Sequence, residues 1–485
     1  MNKTLLFIIV ISSTLSAQVQ IGQDLNGESA GDLAGVEVSL SSDGNIVAIG
    51  SPGSDDSGNN SGSVRIFQLS NNQWSQIGNQ IQGIAGEELG FSLSLSGDGT
   101  KLLIGSPFDN SNGNSSGSCK FFQLINNEWE QIGQTINGQI AEDQFGRTVS
   151  LSRDGSTVAV GSYINSNRTG FTRVYRMNDN NWIQIGQDIV GENEGDDASW
   201  SFDLSSDGSI IAIGSPGNDD NGNRSGHVRV FELENNQWSK IGSNIIGETS
   251  GDESGWSISI SDDGRILAIG SERNGGNGLG SGHVRIYRNV DSQWIQIGSD
   301  INGQSDGDSS GWSVSLSSNG DFVAIGSPDN DSNGDRSGHV RLFSNVMDEW
   351  IQIGNDIQGE NPMDESGNAL SLSSDGKRIA IGALFNAENG EDSGHVRVYD
   401  LSAVLSSNEY VLNQFSLSPI PAKYQFSIEL SQGLQLQNIN IYNSIGQFMT
   451  SSKNSTVDIS NFESGLYLVE IETNQGNATK KLIVE

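Results

Sequence analysis

Tryptophan recurs at a nearly constant interval along most of this chain of 485 residues. Each copy opens the pattern Trp-x-x-Ile-Gly, and successive copies lie 55, 53, 56, 56 and 56 residues apart. The six copies are Trp74, Trp129, Trp182, Trp238, Trp294 and Trp350. A turn of Asp or Asn followed by Gly occurs seven times, beginning at residues 43, 98, 154, 207, 263, 319 and 375. Such self-similarity predicts an array of equivalent units that bury their apolar faces against one another.

Each unit contains four short segments with the pattern of β-strands. The segment 255–261, GWSISIS, has apolar side chains at Trp256, Ile258 and Ile260 with Ser between them, which is the two-residue period of a half-buried strand. An Asp-Gly turn leads to ILAIGS, a polar loop leads to GHVRIYR, and a further turn leads to the Trp-x-x-Ile-Gly segment. Seven such units predict an all-β fold, a seven-bladed β-propeller with four strands per blade.

The two ends of the repeat region complement each other. Residues 19–25, VQIGQDL, match the fourth segment of a unit without its Trp, and the last unit stops after its third segment at Leu401. We therefore expect the N-terminal strand to complete the seventh blade, which removes the exposed edges of an open array. The predicted propeller spans residues 18–402.

The formal net charge of −35 restricts the partners of the chain. Nucleic acids and anionic membrane surfaces attract basic proteins, so we expect neither as a partner. Cations and neutral glycans remain possible ligands, and the charge could equally serve only solubility. Cys119 is the only cysteine, so the fold cannot contain an intrachain disulfide and must be held by packing. We expect a monomer.

The first 17 residues have the pattern of a signal peptide. Lys3 is followed by an apolar run from Leu5 to Ile11, and small residues end at Ala17. This run is too short to span a bilayer, so we expect no transmembrane segment.

The repeat unit has the features of a known blade family. Residues 90–107, GFSLSLSGDGTKLLIGSP, carry a Gly-Asp-Gly turn and end in Gly-Ser-Pro, and Phe145-Gly146 supplies an opening Phe-Gly in another copy. The unit thereby resembles the FG-GAP repeat of the integrin α-subunit propeller. The Asp-Gly turn followed by VAIGS and VRVF also resembles a WD-repeat, but the Trp-Asp ending is absent. The FG-GAP resemblance covers residues 19–401 and implies calcium loops between second and third strands.

A different pattern begins after residue 413, behind a predicted linker at 403–412. The segments FSLSPIPAKYQFSIEL, INIYNSIGQ, VDISNFESGLYLVEIET and KKLIVE follow one another to the end of the chain. In this order they resemble the type A sorting domain of type IX secretion, a small β-sandwich. The residues that carry the match are Pro419, Pro421, Ala422, Tyr442, Gly446, Gln447, Gly465, Tyr467, Lys480 and Lys481. The resemblance implies a bacterium of the Bacteroidetes type, recognition of residues 413–485 by the type IX machinery, and removal of this tail on export. We therefore expect the protein to be secreted or on the outer cell surface.

One loop has the spacing of a calcium site. In residues 329–338, DNDSNGDRSG, oxygen-bearing side chains occupy every second position, at Asp329, Asp331, Asn333 and Asp335. Calcium prefers such oxygens, and Ca²⁺ is the one cofactor that the sequence suggests. The Glu that closes an EF-hand loop is missing, because Val340 stands in its place. Asn, Asp and Gly also form turns without any metal, so both interpretations remain open.

Three tryptophans begin the predicted inner strands of adjacent blades: Trp200, Trp256 and Trp312. Inner strands line the channel of a propeller, so these side chains are expected near one mouth, where they would stack on a sugar. They share the strand face of Ile258 and Ile260, which instead favours packing between blades.

The acidic loops that lead into these strands contain Asp196, Asp252 and Asp308. Loops on a rigid scaffold commonly carry binding residues. We expect this face, over blades four to six, to bind ligand through cations or carboxylate hydrogen bonds.

No catalytic motif such as G-x-S-x-G or H-E-x-x-H stands out from the repeats. His227, His283, His339 and His395 each begin a third strand in a different blade, so they cannot share one ion, and we expect them to be structural. We predict a non-enzymatic binding or adhesion propeller for a glycan or protein. The alternatives are a polysaccharide-degrading enzyme on the same scaffold and a structural surface component.

Overall fold

A computed structural model describes residues 18–164, 168–346, 348–405, 414–431, 434–443, 447–474 and 476–485. The predicted signal peptide, most of the predicted linker and Gly446 lie outside the described residues. The chain divides into two compact units, and the boundary lies between Leu401 and Ser402. The second unit begins with a short helix, Ser402–Leu405, and the regular structure described elsewhere is β-strand.

The unit Val19–Leu401 is a seven-bladed β-propeller, as predicted. Each blade is an antiparallel sheet in the order inner, second, third and outer strand. The inner strands of blades 1 to 7 are Val38–Leu40, Ser92–Leu95, Thr148–Leu151, Phe202–Leu204, Ser257–Ile260, Ser313–Leu316 and Leu370–Leu372. The second strands are Ile46–Ser51, Lys101–Ser106, Thr157–Ser162, Ile210–Ser215, Ile266–Ser271, Phe322–Ser327 and Arg378–Ala383. The third strands are Ser63–Ser70, Ser118–Ile125, Phe171–Asn178, His227–Glu234, His283–Val290, His339–Val346 and His395–Asp400.

The outer strand of every blade is broken into two segments that both pair with the third strand. The first segments are Gln73–Gln76, Glu128–Gln131, Asn181–Gln184, Gln237–Lys240, Gln293–Gln296, Glu349–Gln352 and, in blade 7, Val19–Gln20. The second segments are Ile81–Gln82, Ile136–Asn137, Ile189–Val190, Ile245–Ile246, Ile301–Asn302, Ile357–Gln358 and, in blade 7, Leu25–Asn26.

The break follows from the Trp-x-x-Ile-Gly pattern. Gly78 has a φ of +70° and lies against the next blade, where an added Cβ would come within 2.6 Å of Cδ1 of Trp129. The indole Nε1 of Trp129 donates a hydrogen bond to the carbonyl of Ile77 at 3.1 Å. Equivalent bonds join Trp74 to Ile21, Trp238 to Ile185, Trp294 to Ile241 and Trp350 to Ile297. In blades 1, 2, 4, 5 and 6 the repeated tryptophan therefore clamps the blade to the one before it in the ring, whereas Nε1 of Trp182 in blade 3 has no hydrogen-bond partner among the described residues.

The ring closes as predicted, through N-terminal strand segments in blade 7. Val19 pairs with Asp400, and Leu25 pairs with Val396 in the third strand of that blade. Leu25 is buried among side chains of blades 1 and 7, beside Val396 and Trp74. The seam is thus packed like the other blade interfaces, whose apolar clusters also combine residues of two adjacent blades.

The Asp-Gly turns meet around the axis at one end of the propeller. The residue before each turn donates its backbone N–H to the carbonyl of the equivalent residue in the next blade, and the seventh bond returns to the first blade. The members of this closed ring are Ser42, Gly97, Arg153, Ser206, Asp262, Ser318 and Ser374. The loops between second and third strands, and those between blades, lie at the opposite end, where bridges such as Gly226–Ser254 join them.

The second unit contains two sheets, in agreement with the predicted β-sandwich tail. One sheet consists of Phe415–Ser418, Gln425–Leu430 and Thr456–Asp458. The other consists of Phe448–Ser452, Leu436–Asn443, Gly465–Thr473 and Gly476–Val484. Fully buried apolar side chains from both sheets, including Phe426, Ile441 and Val469, form its core.

Candidate ligand-binding site at the channel mouth

A cavity of about 470 Å³ lies on the propeller axis, at the end that carries the long loops. The inner strands of all seven blades line it, together with Tyr163 from blade 3. This volume lies within the range of known small-molecule sites. In this cavity the seven repeats therefore present different side chains to one shared space.

Aromatic side chains form a continuous arc around one side of this mouth. The ring centroids of Tyr163 and Trp200 are 4.5 Å apart, those of Trp200 and Trp256 are 4.4 Å apart, and those of Trp256 and Trp312 are 5.0 Å apart. The three tryptophans are half-buried and line the cavity. They pack against one another rather than inside the blade interfaces, which the sequence had favoured, so part of each indole faces the cavity.

Arg147 extends the arc into blade 2. Its guanidinium lies 5.2 Å from the ring centroid of Tyr163 and 4.6 Å from that of Phe91, both within the range of cation–π contacts. The side-chain oxygen of Gln144 accepts a hydrogen bond from Arg147 at 2.8 Å and holds it in place. From Phe91 to Trp312, the mouth therefore presents five aromatic rings and one planar cation. Tyr163, which completes the arc, comes from the end of a second strand, and the inner-strand pattern alone could not reveal it.

Two carboxyl groups face the same cavity. Glu37 directly precedes the inner strand of blade 1, at a position where four other blades have Ser, and burial raises its pKa to about 8. Asp203 stands where the other six blades have Ser, and burial raises its pKa to about 6. Asp203 Oδ2 accepts the N–H of Ile260 in the next blade at 3.0 Å, the bond that the serines make elsewhere. Neither residue was predicted as a site residue from the sequence, although both depart visibly from the Ser of the repeat.

A second cavity of about 180 Å³ lies at the Asp-Gly end of the channel. Arg153 from blade 3 crosses it and donates to Asp262 of blade 5 at 2.5 Å. Nη1 of Arg153 donates to the hydroxyl of Ser42 at 2.6 Å and to that of Ser374, while Nη2 makes the bond to Asp262. This crossing cation narrows the channel, so a ligand is expected to enter at the aromatic mouth.

Asp196, Asp252 and Asp308 are buried in the loops that lead into blades 4, 5 and 6. Oδ2 of Asp252 accepts the backbone N–H of Thr249 at 2.7 Å, and its Oδ1 accepts the side-chain amide of Asn274 at 3.1 Å. Asp196 and Asp308 make the corresponding bonds. These carboxylates thus hold the loops in shape, and binding of a ligand by them stays a prediction.

The loop face also carries arginines that offset part of its acidity. Asp197, which is fully buried, accepts from Arg168 at 2.7 Å and from Arg224 at 3.2 Å. Arg224 also pairs with Glu253 at 2.8 Å, and Arg273 pairs with the same carboxylate at 3.2 Å. This chain of ion pairs connects the loops of blades 3, 4 and 5 beside the mouth. These ion pairs were not predictable from the number of acidic residues, because the partners come from different repeats.

Three of the four predicted calcium ligands are engaged in other contacts. Asp329 accepts from Nε of Arg336 at 2.8 Å, and Asp331 accepts the backbone N–H of Arg336 at 2.8 Å. Asn333 points its amide N–H toward the carbonyl of Gly359, at 2.7 Å, and Asp335 is exposed. Within the described part of the chain, Asp329, Asp331 and Asp335 do not form one of the clusters whose ligand atoms all lie within 4.8 Å of one another. Calcium binding at this loop stays a prediction.

The comparisons with known proteins identify the tail. Residues 416–485 match the family model of the secretion system C-terminal sorting domain. This domain marks the protein for type IX secretion to the outer surface or the extracellular space. None of the helices in the described ranges is long and apolar enough to cross a membrane.

Similarity of the remaining chain to known proteins is weak. No curated protein matches the sequence. The structure of U3-55K is 14% identical, with a TM-score of 0.47, and the match covers 79% of this chain and 98% of that one. A proposed 6-phosphogluconolactonase from Bacteroides uniformis is 14% identical, with a TM-score of 0.46, and the match covers 68% of this chain and 86% of that one.

Proposed function

We propose that this protein is an extracellular recognition propeller that binds a glycan at the aromatic mouth of its channel. The observation that carries the proposal is the arc in which Tyr163, Trp200, Trp256 and Trp312 succeed one another at centroid distances of 4.4–5.0 Å. Half-exposed indoles offer apolar faces together with N–H donors. The C–H faces of sugar rings pack on such surfaces, while their hydroxyls seek polar partners.

The polar groups needed for hydroxyl recognition line the same cavity. Ser and Thr side chains recur on every inner strand, Asn368 lies at the mouth, and Arg147 adds a planar donor. Glu37 carries a proton below pH 8, since burial raises its pKa to about 8, and its carboxyl group then donates as well as accepts. An aromatic wall with a few polar groups of both kinds suits a neutral saccharide better than a charged ligand.

A glycan is favoured over a folded protein by the shape of the site. The lining is concave and the volume is about 470 Å³, enough for the end of a chain of sugars but not for a protein domain. Protein partners usually bury about 800 Å² on each side of a flatter interface. Adhesion to a glycan-coated surface would then follow from export by the type IX route.

One observation favours a second function, hydrolysis of a polysaccharide. Glu37 and Asp203 are the two carboxyl groups that depart from the repeat inside the cavity, and burial raises the pKa of each, to about 8 and about 6. Carboxyl pairs of unequal acidity serve as acid and base in glycoside hydrolysis. Asp203, however, accepts three hydrogen bonds from Ser150, Leu204 and Ile260, which is the arrangement of a structural group.

A glycan array followed by calorimetry on the strongest hits tests the proposal. The secreted protein is expected to bind a restricted set of neutral glycans and to leave them intact over hours. Release of reducing ends, abolished by Glu37→Gln, would establish the hydrolase instead. Absence of binding across the array would contradict the glycan proposal. Binding of a glycan whose affinity no substitution at the mouth lowers would contradict it as well.

A further inference from the structure

The histidines that begin the third strands meet carboxylates of neighbouring loops. In blade 5, Nδ1 of His283 lies 3.8 Å from Oδ2 of Asp300, and Glu248 from the loop after blade 4 completes the group. In blade 7, Nδ1 of His395 lies 3.9 Å from Oδ2 of Asp24, and Glu360 from the loop after blade 6 completes the group. In each group the three ligand atoms lie within 4.8 Å of one another.

The same type of group recurs in blade 4 with a different source of carboxylate. Asn244 stands at the position of Asp300, but Asp220 from the loop between second and third strands approaches Nδ1 of His227 to 3.1 Å. Glu192 completes this group, as Glu248 does in the next blade. The loss of one carboxylate in the repeat is thus matched by the gain of another at the same imidazole.

The imidazoles at two of these places are buried and have no hydrogen-bond partner among the described residues. His283 and His395 are 1% and 0% exposed, and neither ring nitrogen of either residue has a partner within that part of the chain. An unpaired buried polar group costs about 1–3 kcal/mol. A bound ion would give each imidazole the partner that it lacks. Burial also lowers the pKa of both histidines to about 4, so each ring is neutral at pH 7 and keeps a lone pair for coordination.

We propose that these groups are inter-blade zinc sites, each formed by one histidine and two carboxylates. Nitrogen and carboxylate oxygen are ligands of Zn²⁺ at about 2.0–2.2 Å, and two ligands of a tetrahedral ion are then about 3.4 Å apart, close to the separations seen here. A water molecule would complete the four ligands. Small side-chain movements would bring the third donor into place.

The surroundings of the sites suit a divalent cation. Asp300 is oriented by Gln296, which donates to its Oδ1 at 2.7 Å and leaves Oδ2 toward His283, and Gln20 holds Oδ1 of Asp24 in the same way. Around His283 the charged groups are Asp300, Glu248, Asp252 and Arg285, a net charge of −2 before an ion binds. The corresponding set around His395 is Asp24, Glu360, Asp364 and Arg397, also −2.

The position of the sites gives the ion a structural consequence. Each site joins a loop that leaves one blade to the third strand of the next. The site in blade 7 joins the N-terminal segment through Asp24, the last third strand through His395 and blade 6 through Glu360. Zinc there would hold the seam of the ring, where the chain would otherwise open first.

Zinc titration of the metal-stripped full chain, by calorimetry and elemental analysis, tests the proposal. We expect three zinc ions per chain and a rise in the unfolding temperature. The paired substitution Glu248→Gln and Asp300→Asn, at partly exposed positions that spare the buried histidine, should remove one zinc ion. Asp24→Asn with Glu360→Gln should remove another and most of the thermal gain.

The chain supplies its own control in blade 6, where His339 and Asp356 are present but Gln304 stands at the position of Glu248. Gln304→Glu should add a fourth zinc ion, whereas Glu194→Gln, at an exposed position that belongs to none of the three groups, should leave the number at three. Absence of zinc binding, or a number unchanged by the paired substitutions and by Gln304→Glu, would overturn the proposal.

Discussion

Arg153 of blade 3 reaches Asp262 of blade 5 across the channel, with 2.5 Å between Nη2 and Oδ1. Both residues belong to the ring of backbone hydrogen bonds that joins the seven Asp-Gly turns, and they are the two members of that ring with charged side chains. The pair is 109 residues apart in sequence. It shows how a circular fold brings together substitutions that look isolated in a linear array of repeats.

Loss of this crossing contact should weaken the ring only modestly. Both side chains are about one-third exposed, so solvent screens the pair, and Arg153→Met should cost about 1 kcal/mol of unfolding free energy. A double-mutant cycle with Asp262→Asn, measured by denaturant unfolding, gives the coupling between the two. Additive effects would show that the ion pair contributes nothing beyond the bonds to Ser42 and Ser374.

The buried Glu37 should make stability depend on pH in a defined window. Its folded pKa is raised to about 8 from an ordinary value of 4.5, so the folded state holds a proton that the unfolded state has released. The stabilising effect of the neutral carboxyl is therefore fully present below pH 4.5 and is lost as the pH rises to 8, by up to about 5 kcal/mol. Unfolding of the wild type and of Glu37→Gln from pH 4.5 to 9 measures it, and parallel curves for the two proteins would contradict the prediction.

Removal of one indole from the aromatic arc should weaken glycan binding. Trp256 contacts both neighbouring tryptophans, so Trp256→Ala should reduce the affinity about 10-fold or more, while the unfolding temperature falls little because the ring is half-exposed. Ile295→Ala, at an exposed position on an outer strand far from the mouth, serves as the matched control. Equal affinities of the two variants for the same glycan would argue against binding at the arc.

Deletion of the N-terminal strand segments should open the ring. Residues 18–26 supply the outer strand of blade 7, bury Leu25 and Ile21, and accept the indole bond of Trp74. Their loss should cost on the order of 5 kcal/mol or more. Thermal unfolding of the deletion variant should begin well below that of the wild type, whereas Val19→Ser, at an exposed position of the same strand, should unfold like the wild type.

Deletion of residues 413–485 should prevent export. Because residues 416–485 carry the sorting domain, the truncated protein should remain in the periplasm, while the intact chain reaches the cell surface or the medium. Cell fractionation with immunoblotting measures the distribution. Mass spectrometry of the exported protein should find no peptide from the tail, and an intact C-terminus on exported material would contradict cleavage.

The blade plan was predictable from the sequence because each of its determinants is local. Strand alternation, the Asp-Gly turn and the Trp-x-x-Ile-Gly clamp repeat within about one unit, and the unit count then specifies seven blades. The last unit lacks a fourth strand and residues 19–25 have the pattern of one, so the sequence also predicted how the ring closes. The break in each outer strand was not predicted, because it involves contacts between blades: in six of the seven blades an indole of the next blade rests on the glycine at the break, as Trp129 does on Gly78.

Only the tertiary structure determines which residues meet in the cavity at the channel mouth and in the histidine–carboxylate groups. Glu37, Arg147, Asp203 and Trp256 are distributed over about 220 residues of sequence, and they share one cavity only because inner strands of a closed ring all face its axis. The sequence separated the four histidines correctly into different blades, but it could not show that a loop of the preceding blade brings Glu248 to His283. Local periodicity specifies what each blade is, whereas contacts across blade interfaces and across the axis depend on the rotation of one blade relative to the next, and that rotation exists only in the folded ring.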